Sequence, residues 1–287
     1  MKSRIILSLV LALALMWVSR ELSVRKRVFL VIQRGDVRIQ HLTVTDKIGP
    51  GDVKIEAKIT APYTPESYSK KIFYKIDNGA YQSIDFMPET VAQNPNPDFY
   101  AFIPAQEKGK RIYYYIIVED GLANKLTLPD KIESVEPPFM IKFKGEVPLV
   151  IVLGHVLGML AVLFFVFLAL FFAIDIFTGK DALKWLAFSI SGAFISVCFG
   201  GVVFGGLMTN YVLGGFWEAV PFGWDITDNK TFIFLLYWLF MLILAKGTVF
   251  KRDESFNLLK PKSLAGFAIV GVLLTVLLYL VPHSVRL

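Results

Sequence analysis

The stretch VPLVIVLGHVLGMLAVLFFVFLALFFAIDI, Val147–Ile176, decides what kind of protein this is. A helix at the surface of a soluble protein carries one apolar stripe, whereas this run is apolar all round and longer than the roughly 20 residues that cross a bilayer. Its length leaves room for tilt. Three further apolar segments follow, at about Leu186–Met208, Phe232–Ala245 with its flanks (about 231–246), and Leu264–Val281. The expectation is a four-span membrane domain over 147–281.

Upstream, the chain opens on Lys2 and Arg4, an apolar stretch from Ile5 to Val18, and the polar Ser19-Arg20-Glu21. Basic start, apolar core and polar boundary fit an export signal over residues 1–20, and the apolar core alone is short for a full span. Ala12-Leu-Ala14 lies inside that core, and a cut after Ser19 would leave bulky Trp17 three residues before it. An uncleaved signal anchor therefore fits slightly better than a cleaved signal peptide. Either one exports the residues that follow.

Between these apolar regions, residues 25–144 change to period two. Val53, Ile55, Ala57 and Ile59 alternate with Lys54, Glu56, Lys58 and Thr60, which gives a strand one apolar and one wet face. Lys71–Tyr81 reads as a strand, a turn and another strand, and Phe99–Pro104, Lys110–Val118 and Phe139–Phe143 are further strand candidates, Lys110–Val118 being rich in aromatic and β-branched residues. Asn78-Gly79 suits a tight hairpin, Asp120-Gly121 ends a strand, and Val28–Ile32 and Val37–His41 add edge strands. His41 reads as an ordinary exposed or hydrogen-bonded side chain. About seven short strands in roughly 95 residues suggest a β-sandwich. On Ile72-Phe-Tyr-Lys-Ile-Asp-Asn-Gly79, Tyr100–Pro104 and Tyr113–Gly121, residues 48–144 resemble bacterial immunoglobulin-like or fibronectin-type-III-like domains. That resemblance implies a fold and leaves function open. The fold class is thus a mixed membrane protein: an exported all-β immunoglobulin-like sandwich followed by a four-helix transmembrane domain.

Charge orients the spans. Lys180 and Lys184 follow the first span of the block, and Lys246, Lys251, Arg252, Lys260 and Lys262 separate the last two. Both loops belong in the cytoplasm by the positive-inside tendency. Residues 209–230 carry Glu218, Asp225 and Asp228 against Lys230 and belong outside, with residues 25–144. The expected location is the cytoplasmic (inner) membrane of a bacterium. The net charge of +6 is largely accounted for by these flanks, and no nucleic-acid-binding module is visible. Cys198 is the single cysteine, so no intrachain disulfide and no multi-cysteine metal site can form. Ser196, Gly200, Gly201, Gly205 and Gly206 give the second span of this block small-residue faces, and spacings such as Gly201-x-x-x-Gly205 permit close helix packing.

The unusual segment is Gly214–Thr231, with Phe216, Trp217, Glu218, Phe222, Trp224, Asp225 and Asp228 in a short space. Its rings suit the headgroup layer, and Glu218, Phe222, Asp225 and Asp228 are candidates for partner contact. Asp228 or Asn229 is a candidate cap for the next helix. Trp217-Glu-Ala-Val-Pro-Phe-Gly-Trp-Asp225 resembles the tryptophan-rich external segment of cytochrome c assembly proteins that handle haem. The resemblance implies Trp217 and Trp224 as a platform for a planar cofactor. His155, in the outer part of the first span, and His283, after the last, are candidate axial ligands. His155 equally suits a hydrogen bond between helices. No hydrolytic constellation appears, and no reaction can be named. The leading expectation is a noncatalytic accessory subunit or assembly factor that contacts lipid and another membrane or exported protein. The alternatives are a haem- or small-ligand-handling protein and a small transporter component.

Overall fold

The structure, a computed structural model, describes residues 1–24, 26–61, 68–89, 98–120, 125–130 and 138–282. Arg25, Gly121 and His283, used in the sequence reading, lie outside the described residues. The chain divides into two compact units. One comprises Met1–Val24, Val147–Tyr211 and Gly215–Leu287, and the other Arg25–Glu146 with Val212–Gly214.

The first unit is helical. Among the described residues, five helices are long and apolar enough to cross a membrane: α1 (Lys2–Ser23), α2 (Leu149–Phe177), α3 (Leu183–Leu213), α4 (Ile226–Leu244) and α5 (Pro261–Leu280). α1 exceeds the sequence expectation, because its helix extends through Lys2–Arg4 and Ser19–Ser23 on either side of the apolar core. Leu, Ala and Met supply the intrinsic helix preference. Ser8, Ala12 and Ser19 recur on one face and are buried; Ala12 belongs to the same apolar core as α2, α3, α4 and α5. At the other end of that face Arg4 forks onto Asp175 of α2, with Nη2 donating to Oδ1 over 2.7 Å, and Lys180 Nζ reaches the same Oδ1 over 3.0 Å. Asp175 is therefore the buried anchor of a three-residue ion cluster.

α2 and α3 cross through glycine. A Cβ added to Gly158 would stand 2.3 Å from the Cα of Gly200, so the two backbones touch where any side chain would hold them apart. The expected close packing through small residues is made by Gly200, while the other glycines have different neighbours. Gly200 meets Gly158, Gly201 meets Thr231, and Gly205 lies beside His155. At this crossing α3 loosens into a π-helical stretch, Val197–Phe204. Wider turns of that kind change which backbone carbonyls are free to accept from outside the helix. Outward-facing Leu157, Phe199, Leu236 and Leu277 are exposed apolar side chains, suited to lipid.

The second unit is β-rich. Its strands are β1 (Phe29–Arg34), β2 (Val37–Leu42), β3 (Asp46–Ile48), β4 (Val53–Thr60), β5 (Tyr68–Ile76), β6 (Gln82–Asp85), β7 (Met87–Pro88), β8 (Asp98–Ile103), β9 (Arg111–Asp120), β10 (Lys125–Leu128) and β11 (Phe139–Lys144). One sheet runs β1-β2-β4-β8-β7, and the other β3-β11-β9-β5-β6 with β10 on β9. The β3–β11 pair is parallel and the other pairs are antiparallel. Val53, Ile55, Ala57 and Ile59 of one sheet and Ile72, Ile112, Ile116 and Ile141 of the other bury into one apolar core, as period two requires. There are more strands than the seven expected, because short strands such as β3, β7 and β10 carry too few residues to show a period. β2 is an interior strand, between β1 and β4. The β5–β6 connection places its positive φ at Asp77, in place of the Asn78-Gly79 expected from sequence.

Of the two expectations for His41, exposed or hydrogen-bonded, the structure shows the hydrogen-bonded one, in a buried setting. His41 is 1% exposed, on the same face of β2 as Ile39. Its Nδ1 lies 2.7 Å from the Glu56 carbonyl oxygen, and its Nε2 lies 2.8 Å from the Tyr114 hydroxyl on β9. The neutral tautomer with the proton on Nδ1 satisfies both: Nδ1–H donates to the carbonyl and Nε2 accepts from the hydroxyl. Val44 N–H donates to the same hydroxyl over 3.4 Å. A polar latch thus ties the two sheets inside an apolar core. Burial drives the His41 pKa below its ordinary value and raises that of Tyr114.

The whole is a multi-pass membrane protein in which long apolar helices flank a β-rich region. Alternation through five spans puts Lys180, Lys184 and the basic 246–262 loop on the side of Lys2 and Arg4, and the β-rich segment on the extracytoplasmic side.

Candidate functional site

The aromatic loop is built, residue by residue, on the first turn of α4. Asp225 is the N-cap, its Oδ1 accepting from Thr227 N at 2.9 Å and Asp228 N at 3.2 Å. The sequence reading assigned that cap to Asp228 or Asn229; both instead hold the loop. Asp228 is buried, and its Oδ2 accepts from Glu218 N at 2.8 Å while Thr209 Oγ1 donates to Oδ1 at 3.4 Å. Asn229 Oδ1 accepts from Val220 N at 3.1 Å, and its Nδ2 donates to the Asp225 carbonyl at 2.9 Å. Asp225 N in turn donates to the Glu218 carbonyl at 2.9 Å. A Cβ at Gly223 would come within 2.5 Å of that same carbonyl oxygen, so only glycine lets the loop close this tightly. The acidic residues read from sequence as a wet loop are, for Asp225 and Asp228, its internal scaffold.

The scaffold displays two side chains. Phe222 and Trp224 are each 83% exposed, the highest values among the exposed large apolar side chains of the described residues. Trp217, by contrast, is partly buried and meets the ring of Phe232 edge-on at 6.3 Å between centroids. The two tryptophans named as one platform therefore stand in different surroundings. Ala219, between them, is fully buried and anchors the turn.

His155 lies elsewhere in the same unit. Its Nδ1 is 2.9 Å from the Gly200 carbonyl oxygen, in the π-helical stretch of α3, and donates to it. The ring also lines a cavity of about 650 Å³ among the helices. Lys230 shares that cavity and donates from Nζ to the Val281 carbonyl at 2.6 Å. Its part in the cavity was not legible from sequence, where it counted only as a basic residue in an acidic loop. Neither Trp217 nor Trp224 lines this cavity, whereas Trp17 of α1 does. Among the described residues there is no group of three or more His, Cys, Asp or Glu able to hold a metal ion. No family model matches this chain, and no curated protein sequence matches it.

Proposed function

We propose that the protein is a noncatalytic accessory subunit or assembly factor of a membrane protein complex, placed in the cytoplasmic membrane of a bacterium. The single observation that carries this reading is the display of Phe222 and Trp224 on a loop whose backbone is held by Asp225, Asp228 and Asn229. A hydrogen-bonded scaffold under exposed aromatic rings supplies preorganised anchors, which is how a few residues come to dominate a protein interface. Glu218, Phe222, Asp225 and Asp228 form the contact segment in this reading, with Asp225 and Asp228 acting by holding it in shape. The two-sheet unit, taken as an immunoglobulin-like exported domain, provides a second extracytoplasmic contact surface.

Purification of the full chain in mild detergent tests the proposal. The expected result is a stoichiometric membrane or exported protein that is lost from Phe222→Ala/Trp224→Ala, with the variant still folded. Recovery of the wild type as a monomer, with no protein partner, overturns it.

A haem- or small-ligand-handling role is the second reading, favoured by the presence of His155 in an intramembrane cavity. A Soret band in protein isolated from haem-replete cells supports it; a spectrum without one, beside a control haem protein that keeps its band, removes it.

A further inference from the structure

On α1, α2 and α4 the cavity beside His155 is graded in polarity in the same direction, while α3 contributes Met208 and α5 contributes Leu278 and Tyr279. α1 contributes Leu13, Met16 and Trp17 from its middle, then Ser19, Arg20 and Ser23 toward its extracytoplasmic end. α4 begins outside and contributes Thr227, Lys230 and Thr231 before Phe234. α2, also entering from outside, contributes His155 before Met159. With a rise of about 1.5 Å per residue, Phe234 lies about 12 Å below the start of α4 at Ile226, and Met159 about 15 Å below the start of α2. The polar rim therefore falls at headgroup depth, and the apolar floor within the outer leaflet.

Charge selects the occupant. Among the described residues, the lining contains Arg20, Lys230 and His155 and no Asp or Glu. Glu21 pairs with Arg20 over 3.6 Å at the exposed surface, where solvent weakens the attraction, while Asp225 caps α4 and Asp228 holds Glu218 N. A volume of about 650 Å³ falls within the roughly 300–1,000 Å³ typical of small-molecule sites. We propose that this cavity binds one anionic amphiphile from the outer leaflet, its acidic headgroup between Arg20 and Lys230 and its chain against Met159, Phe234 and Leu278. The site is independent of the partner contact at Phe222 and Trp224, and it competes with haem for the same space.

The test uses the full chain, delipidated in mild detergent, with native mass spectrometry under titration by phosphatidylglycerol or phosphatidylcholine of equal chain length. The expected result is one tightly held phosphatidylglycerol, bound at least about fivefold more tightly than phosphatidylcholine, as one cation's attraction to an anionic headgroup implies. Arg20→Met, at an exposed position, and Lys230→Met each weaken phosphatidylglycerol binding by about the same factor. Met159→Trp, which fills the floor, abolishes it. Lys251→Met, in the cytoplasmic loop, leaves it unchanged. Equal binding of the two lipids overturns the proposal, as does equal loss in Lys251→Met, or an Arg20→Met protein that binds as the wild type does. Fatty acid in place of phosphatidylglycerol in the titration separates a requirement for phosphate from one for negative charge; binding of either supports the site. A haem band in place of bound lipid overturns it.

Discussion

Replacing Gly158 by alanine adds one methyl group at the point where α2 and α3 touch. The new Cβ would lie 2.3 Å from the Cα of Gly200 and 3.0 Å from its nitrogen. Carbon atoms in ordinary contact stand about 3.5–4.0 Å apart, so the helices must separate by more than about 1 Å. Overpacking a core costs about 1–3 kcal/mol, and because both sides of this contact are backbone, the expected cost is near about 3 kcal/mol. Separation on that scale also stretches the 2.9 Å bond from His155 Nδ1 to the Gly200 carbonyl beyond hydrogen-bonding range. Gly266→Ala is the matched control, since its Cβ would meet Phe177 at an ordinary 3.9 Å. There, alanine in a helix interior is neutral or stabilising by up to about 1 kcal/mol. Unfolding in a denaturing detergent, followed by the fluorescence of the fully buried Trp238 and its neighbours, reads both. The expected result is a much lower midpoint for Gly158→Ala alone. Equal midpoints for the two variants would refute a backbone contact at the crossing.

Two other perturbations probe parts of the fold that come from distant residues. Arg4→Met leaves the buried Asp175 carboxylate with Lys180 alone and should cost about 2 kcal/mol, below the about 3–5 kcal/mol of a fully buried pair because Arg4 is partly exposed. The double variant Arg4→Met/Asp175→Asn should recover part of that loss, and strict additivity in the same detergent titration would show that the pair does not interact. In the β-rich unit, the His41 pKa lies below its ordinary value of 6.5 in the folded state. The unfolded chain therefore binds the proton more readily, and stability is lost as pH falls through 6.5 toward the lower folded value. Hydrogen exchange of β2 and β9 amides, corrected for intrinsic rates, should show less protection at pH 5.5 than at pH 7.5. His41→Leu should remove that pH response while costing about 1–3 kcal/mol for the stranded Tyr114 hydroxyl, and an unchanged response would exclude His41 as its source.

What could be read from the sequence was whatever a local period encodes. The alternation from Val53 to Thr60 predicts β4 and its buried face, and the apolar runs predict the helices that follow residue 147. Contacts made across long separations were hidden. Asp175 finds Arg4 from 171 residues away, so nothing near it announces a pair. The same limit applies to the glycines, where Gly200 has its partner in Gly158 of another helix. His41 was legible in principle, because it shares the parity of Val37 and Ile39, and a polar residue on an apolar face of a strand requires buried partners. In the loop, Asp228 and Asn229 read as candidate caps, but the cap is Asp225, and the bonds of Asp228 and Asn229 to Glu218 and Val220 depend on how the chain doubles back.

The proposed role of the loop is tested most directly where Phe222 projects. A photoreactive phenylalanine analogue at position 222, activated in intact membranes of cells expressing the full chain, reports what touches that ring. The proposed function predicts a discrete protein adduct of constant mass, absent when the same analogue is placed at the outward-facing Leu277. Adducts with lipid alone at position 222 would contradict it.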